Sequence, residues 1–390
     1  MNARIMLLLV AIATGGCFDD DGTSNDPSSE DVRKSQQNVA EGRTAMAQGN
    51  LCDAVPHFDQ AVRQNAANAE ARFLRAIASA AKTLIDSIAN DATRSSPPLI
   101  PRDLFLQSGG TIQGSSCDVC SLSVRFPDSL PDDSPTSDDV ARVLTPLLLQ
   151  QAAAVVGDFD QLPRDFRFTD DPTQGSILPP CLRSRSHLVN IDEGDILAAT
   201  GTLRASQAVL HIVSAYDVDA DVDDTANNRR TPKFVVENDP NLGKRLADPN
   251  SANELGSARD LLGGAASDCI AAIDSIRGET DDQDHDLIVF DLSQQSQIDE
   301  ARRALLLFGQ SLTQQVMFRR QDFSEISHDQ RVDLRPFLEA TINDLRPLLP
   351  EFTSAGRFDL CSFPDPTLQG MAPDLTQQDI NQLIGLTCPP

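Results

Sequence analysis

The feature that most limits the fold of this chain is a succession of long segments with an apolar or small residue at every third or fourth position. This spacing places those residues on one face of an α-helix, as it does over residues 192–213. Loops rich in Pro, Gly, Ser and Asp separate the segments, and strand-like patterns are few and short. The chain is therefore predicted to be mostly α, with a helical bundle and long irregular loops.

The bundle is assigned to residues 137–346. Its helices are predicted over residues 137–159, 192–213, 251–276, 295–318 and 336–345. Pro146 is expected to kink the first of these helices without ending it. Small strands are expected at 166–168 and 234–236, and an irregular C-terminal tail over 347–390 is expected to hold a last short helix at 376–383.

Residues 31–93 are predicted to form three consecutive helices with Ala and Gly at helical spacing. The relative offsets of the tetratricopeptide repeat are occupied by Gly42, Ala45, Gly49, Ala54, Phe58, Ala61 and Asn68, and residues 69–76 resemble the opening of a second repeat. Small residues let two antiparallel helices approach closely, and Phe58 fills the gap between them. The resemblance covers about one and a half repeats, whereas a free-standing array needs about three. This region should therefore pack against another part of the chain.

This tetratricopeptide-like hairpin implies a surface that binds helices or extended peptides of a partner protein. The candidate partner-binding residues are Gly42, Arg43, Ala45, Phe58 and Arg63. The alternative is a structural hairpin that only caps and packs on the larger bundle. The sequence leaves both interpretations open.

The N-terminus has the pattern of a secretory signal over residues 1–16. Arg4 precedes a nine-residue apolar stretch that is too short to span a bilayer. Residues 13–17, Ala-Thr-Gly-Gly-Cys, resemble the lipobox of bacterial lipoproteins, which implies acylation of Cys17 and a lipid anchor in the outer membrane or at the cell surface. A polar, acidic tether follows over residues 17–30. Cleavage after Ala13 would instead give a soluble periplasmic or secreted protein.

The net charge of the chain and the absence of known catalytic motifs limit the functions that it can have. The chain has 58 acidic and 32 basic residues, a net charge of −26, which excludes nucleic acid as a partner. The common hydrolase and nucleotide-binding signatures are absent, so an enzyme is not favoured. The sequence therefore favours a membrane-anchored lipoprotein that binds or scaffolds another protein. The alternative is a calcium-dependent binding protein, or an enzyme, with a site in the acidic loops 217–224 and 279–286.

Two acidic clusters support that alternative. The first resembles the opening half of an EF-hand calcium loop and consists of Asp217, Asp219, Asp221 and Asp223. Val222 stands where such a loop needs Gly. The second, residues 279–286, follows a helix end, where acids oppose the helix dipole and a cation is favoured. Solvated loops without an ion are the other interpretation.

The cysteine count predicts disulfides. Seven cysteines remain after Cys17, and export to an oxidising compartment should pair up to six of them and leave one free. Disulfide bonds are expected to stabilise two weakly structured regions. They would involve Cys117 and Cys120 in the irregular segment 94–136 and Cys361 and Cys388 in the tail.

Overall fold

The structure is a computed structural model that describes residues 27–89, 111–113, 123–125, 137–171, 176–177, 188–218, 232–279, 286–288, 294–323, 326–339 and 341–383. Helices dominate these residues, and their strands form two-stranded antiparallel pairs. The prediction of a mostly α fold is confirmed. The chain divides into two compact units: residues 1–130, 143–203 and 274–290 form the first, and residues 131–142, 204–273 and 291–390 form the second.

The first unit begins with three helices, α1 (Ser29–Ala47), α2 (Leu51–Gln64) and α3 (Ala69–Ala89). Ser28 caps α1, because its Oγ accepts the N–H of Asp31 while the Asp31 carboxylate accepts the N–H of Ser28. Gly49 makes the turn to α2 with a φ of +82°, a conformation that favours glycine. The predicted pattern of three helices in this region is thus present.

The close approach of α1 and α2 depends on Gly42 and Phe58. Phe58 is fully buried, and a Cβ atom on Gly42 would lie 2.6 Å from the Phe58 ring. No side chain fits at that position without moving the ring. The packing that the sequence predicts for this pair of helices is therefore the packing observed.

The support for these helices comes from α4 (Ser137–Phe159) and from β3 (Phe168–Asp170), which pairs with β4 (Val189–Ile191). The ring of Phe73 on α3 lies 5.4 Å from that of Phe166 and 5.0 Å from that of Phe168, centroid to centroid. Arg75 of α3 donates to Asp158 of α4. A separate strand pair in this unit joins β1 (Thr111–Gln113) to β2 (Ser123–Arg125). Pro146 lies inside α4, as predicted.

Three long helices contribute residues to both units. They are α4, α5 (Glu193–Ala215) and α7 (Asn250–Gly278), and the short α6 (Pro232–Asn238) lies between α5 and α7 in the chain. By length and hydropathy α5 is a candidate membrane span. Its buried positions recur at helical spacing, at Ile196, Thr200, Leu203, Gln207 and Ala208, which is the pattern of the core helix that the sequence predicts.

The second unit also contains α8 and short elements. They are α8 (Gln295–Ser311), β5 (Val316–Phe318), β6 (Gln330–Val332), α9 (Arg335–Leu338), β7 (Glu351–Phe352), β8 (Phe358–Asp359) and α10 (Gln377–Leu383). Its main apolar cluster brings together Ala208, Ala258, Leu312 and Leu338. The only tyrosine of the chain, Tyr216, is buried and donates to the carbonyl oxygen of Ile342 at 3.1 Å.

Three predictions of secondary structure are wrong. The helix predicted over 336–345 is only the short α9 (Arg335–Leu338). Further along, the carbonyl oxygens at 342 and 343 accept hydrogen bonds from Tyr216 and Arg245 and not from a following helical turn. The predicted helix 295–318 ends at Ser311, and Val316–Phe318 is strand β5, which pairs with β6 through Val316 and Val332. Residues 234–236 lie in helix α6 and not in a strand. Pro232 opens that helix with a preset φ, and Lys233 and Glu237 form an i,i+4 ion pair along it.

Candidate functional site

Three carboxylates converge in the first unit. Asp192, Glu279 and Asp286 each offer an oxygen, and these oxygens lie within 4.8 Å of one another. All three residues are partly buried. We call this group the carboxylate cluster. Carboxylate oxygens are the ligands that Ca²⁺ prefers in proteins, so the arrangement has the donor type of a calcium site.

The start of α5 and the end of α7 bring two of these carboxylates together. Asp192 caps α5, because its Oδ1 accepts the N–H of Gly194 at 2.9 Å. Glu279 follows the last residue of α7. A Cβ atom on Gly194 would lie 2.5 Å from Cγ1 of Ile276, so a glycine is required where the start of α5 meets the last turn of α7.

A backbone contact brings in the third carboxylate. Asp286 forms a parallel bridge with Asn190, and the next residue, Leu287, donates its N–H to the carbonyl oxygen of Asn190 at 3.2 Å. Asn190 belongs to β4, directly before the start of α5. The main chain thus holds Asp286 next to the strand that leads into α5.

A fourth acid, Asp195, adjoins the carboxylate cluster and is only 3% exposed. Its carboxylate accepts the N–H of Ile288 at 2.9 Å and that of Asp192 at 3.3 Å. Burial is the main reason that the pKa of Asp195 is raised to about 7; the negative charges of Asp192 and Asp286 add to the effect, and the two backbone hydrogen bonds oppose it. The pKa of Asp195 therefore lies close to neutral pH.

The carboxylate cluster overlaps the predicted metal residues only in part. Glu279 and Asp286 belong to the second acidic loop of the sequence, whereas Asp192 was expected only to open a helix. The signal that could have identified Asp192 is Gly194, two residues later, which permits the close approach to α7.

The EF-hand-like run does not contribute to the carboxylate cluster within the described residues. Asp217 lies in the second unit, where its main chain bonds to Gly243 and Lys244. Asp219, Asp221 and Asp223 lie outside the described residues, as do Asp281, Asp282 and Asp284 of the other loop.

The predicted partner-binding residues differ in exposure. Gly42, Ala45 and Phe58 are buried, so they shape the pair α1 and α2 from the inside and offer no surface to a partner. Arg43 bonds to Glu70 at 2.6 Å, and its guanidinium carbon lies 5.3 Å from the centroid of the Phe168 ring. Arg43 thus joins α1 to α3 and β3. Arg63 is exposed on α2.

A row of exposed side chains runs along α1. It consists of Arg33, Gln37, Ala40, Thr44 and Gln48, spaced by three or four residues and therefore on one face. We call this row the α1 stripe. None of its members is acidic, but Gln37 donates to the exposed Glu41 at 2.8 Å, so an acid borders the stripe. With the exposed Arg63, the α1 stripe is the candidate partner surface that remains once the buried residues are set aside.

The described part of the chain contains both disulfide-bonded cysteines and a free cysteine. Cys52 and Cys361 are disulfide-bonded, and Cys269 carries a free thiol. Burial raises the pKa of the Cys269 thiol, and the neighbouring Asp268 adds to the effect. Cys17, Cys117, Cys120 and Cys388 lie outside the described residues.

Comparison of the chain with protein-family models, with curated proteins and with solved structures finds no match.

Proposed function

We propose that this protein is an exported bacterial lipoprotein, anchored through Cys17 at the outer membrane or the cell surface, that binds another protein through α1. The α1 stripe is the observation that carries the binding part of this proposal. The lipobox-like run at residues 13–17 and the polar tether that follows support the anchor.

The composition of the α1 stripe suits an interface. The centres of protein interfaces are depleted of Asp, Glu and Lys, because a charge that loses its water must find a partner. Gln and Thr side chains donate and accept hydrogen bonds without that cost, and Ala40 allows a close approach of a partner backbone.

Hydrogen bonds and close packing on the buried side of α1 hold the helix that carries the α1 stripe. Ser35, on the buried side of α1, donates its Oγ–H to the carbonyl oxygen of Ala61 on α2 at 2.8 Å. Asn68 donates to Ser35 Oγ at 2.9 Å, and Gly42 lies against Phe58. A helix fixed in this way presents its outer side chains without the entropic cost of ordering the backbone on binding.

The lipid anchor is tested by Cys17→Ser, which removes the acylated sulfur. We expect the variant to move from the membrane fraction to the soluble fraction after export, since several acyl chains are what make such anchoring stable. Cys269→Ser is the matched control and should leave the protein in the membrane fraction. A wild-type protein that is already soluble after export would disprove the anchor.

Protein binding is tested by crosslinking in native membranes with the double variant Ala40→Glu, Thr44→Glu. Two buried acids should abolish a specific crosslinked species, because neither would have a partner in the interface. The control, Ser296→Glu with Gln297→Glu on α8, adds the same charge on the second unit and should retain the species. Arg43 is unsuitable for this test because it pairs with Glu70. Identical crosslinking in both variants, or none in the wild type, would contradict the proposal.

The second candidate function is calcium binding, and the convergence of Asp192, Glu279 and Asp286 favours it. A cation that binds only the folded state raises the melting temperature by mass action. Millimolar Ca²⁺ should therefore raise the melting temperature of the wild type, and Mg²⁺ should do so much less, since it demands a tighter octahedral site.

The matched pair for this test is Asp286→Asn and Asp260→Asn. Asp286→Asn should abolish the response to Ca²⁺, and Asp260→Asn, which neutralises a side chain that is 75% exposed on α7, should keep it. An unchanged melting curve of the wild type in Ca²⁺ would show that the carboxylate cluster does not bind this ion.

A further inference from the structure

The second unit contains a cavity of about 730 Å³ that no function considered above uses. It is lined by Met317, Arg319, Arg320, Gln321 and Asp329. Met317 belongs to β5, the two arginines follow it in the chain, and Asp329 directly precedes β6. The cavity therefore lies at the connection between these two strands.

The backbone that carries the two arginines is fixed at several points. Arg320 donates its N–H to Asp329 Oδ1 at 2.8 Å, which holds the connection just before β6. Arg303 of α8 pairs with Asp322 at 2.6 Å, and the rings of Phe318 and Phe323 lie 5.5 Å apart, centroid to centroid. The arginines thus project from a turn whose backbone is already held in place. Ligand binding therefore does not carry the entropic cost of ordering that backbone.

The side chains of Arg319 and Arg320 differ from the neighbouring arginines in forming no ion pair with a described residue, although Asp329 lines the same cavity. In the same unit Arg303, Arg331 and Arg335 each form an ion pair with an aspartate. Within the described part of the chain, the Arg319 and Arg320 guanidiniums make no ion pair and no hydrogen bond, and both residues are exposed. We call these two residues the arginine pair.

We propose that this cavity binds a small organic monocarboxylate, with the arginine pair on the carboxylate and Met317 against the apolar part of the ligand. Guanidinium groups match carboxylates in planar, two-point hydrogen bonds. Met317 is 41% exposed, and its flexible thioether fits apolar groups of varied shape. Asp329 on the wall and the net charge of −26 disfavour a doubly charged phosphate relative to a single carboxylate.

The test is a titration of the full chain labelled with ¹³C at the methionine methyl groups and followed by NMR. The probe is hexanoate, with hexanamide as its neutral analogue and inorganic phosphate as the competing anion. The methyl resonance of Met317, assigned with Met317→Leu, should shift in a saturable way with hexanoate. Met46 and Met371 are buried elsewhere and provide internal controls that should not shift.

The double variant Arg319→Gln, Arg320→Gln should weaken hexanoate binding at least tenfold, since hydrogen bonds between charged groups each contribute about that factor. The matched control is Arg357→Gln, an exposed arginine of the same unit that does not line the cavity, and it should bind as the wild type does. Equal shifts with hexanamide, tighter binding of phosphate than of hexanoate, no shift with hexanoate, or full binding by the double variant would each overturn the proposal.

Discussion

The carboxylate cluster and the arginine pair are both groups of like charges, but they lie in opposite environments. Asp192, Glu279 and Asp286 are partly buried beside a fully buried fourth acid, whereas Arg319 and Arg320 are exposed. Water screens the repulsion between exposed charges, so the arginine pair persists at little cost. Beside the carboxylate cluster the pKa of Asp195 is raised mainly by burial, and repulsion from Asp192 and Asp286 adds to the effect.

The comparison shows how a chain of high net charge can keep like charges together. On the surface the solvent reduces their interaction. In the interior one member keeps its proton, or a cation supplies the missing charge. The two groups should therefore respond differently to pH and to mutation.

The largest expected effect concerns pH and Asp195. The folded protein keeps the Asp195 proton to about pH 7, and the unfolded chain loses it near pH 4, so the folded state binds more protons between these values. The contribution of Asp195 to the free energy of unfolding should fall as the pH rises through this window, by up to about 4 kcal/mol. Asp195→Asn cannot titrate, so urea unfolding from pH 4 to 8 should show its stability rising relative to the wild type. A difference that does not change with pH would contradict this.

The next effect concerns the packing that assembles the carboxylate cluster. Gly194→Ala would place a Cβ atom 2.5 Å from Ile276 and force α5 from the last turn of α7. We expect a loss of about 1–3 kcal/mol in the free energy of unfolding. Gly157→Ala is the control, because its Cβ would meet no atom within 4 Å. That variant should match or slightly exceed the wild type in a melting experiment, since Ala favours the helix.

A smaller effect sharpens the origin of the Asp195 pKa. Asp286→Asn removes one of the two neighbouring negative charges but leaves the burial of Asp195 in place. The Asp195 pKa should fall only slightly, because the Asp286 charge is a small contribution, and should remain above the ordinary range of aspartate. NMR titration of the labelled aspartate carboxyl carbons measures it directly. A return to the ordinary value would mean that charge, and not burial, is the main cause.

The smallest effect is expected at the arginine pair. Arg319→Gln with Arg320→Gln removes two charges that contact no acid of the described chain, so the melting temperature should change by less than about 2 °C. Arg303→Gln should lower it more, because Arg303 holds the turn through Asp322. If the double variant is the less stable of the two, the arginine pair is part of the framework and not a surface group.

The sequence predicts well those elements whose causes are local. Asp192 marks the start of α5 because capping needs only a short side chain beside the first turn. The prediction was wrong for Val316–Phe318, whose strand exists because Val332 and its neighbours pair with it from another part of the chain. Pairing between distant segments leaves little trace in the local pattern of either one.

The candidate site was predictable only in part for the same reason. Acids at 279–286 were visible as a dense run after a helix. Asp192 lies far from them in the sequence, and what brings it to Glu279 is a glycine that permits one helix to touch another. That Arg319 and Arg320 form no ion pair with a described residue also depends on tertiary structure, since the chain has aspartates nearby at positions 322 and 329.

The sharing of α5 and α7 between the two units has a practical consequence for anyone who wishes to divide the protein. Each unit is built from three separate stretches of sequence, and the boundary in α5 falls between Leu203 and Arg204, within a continuous helix. A single cut there would divide α5 between the two fragments. Each fragment would also lack part of its own unit and carry part of the other unit. Deletion mapping by progressive truncation would therefore remove pieces of both units at once, whereas point substitutions can address one unit at a time.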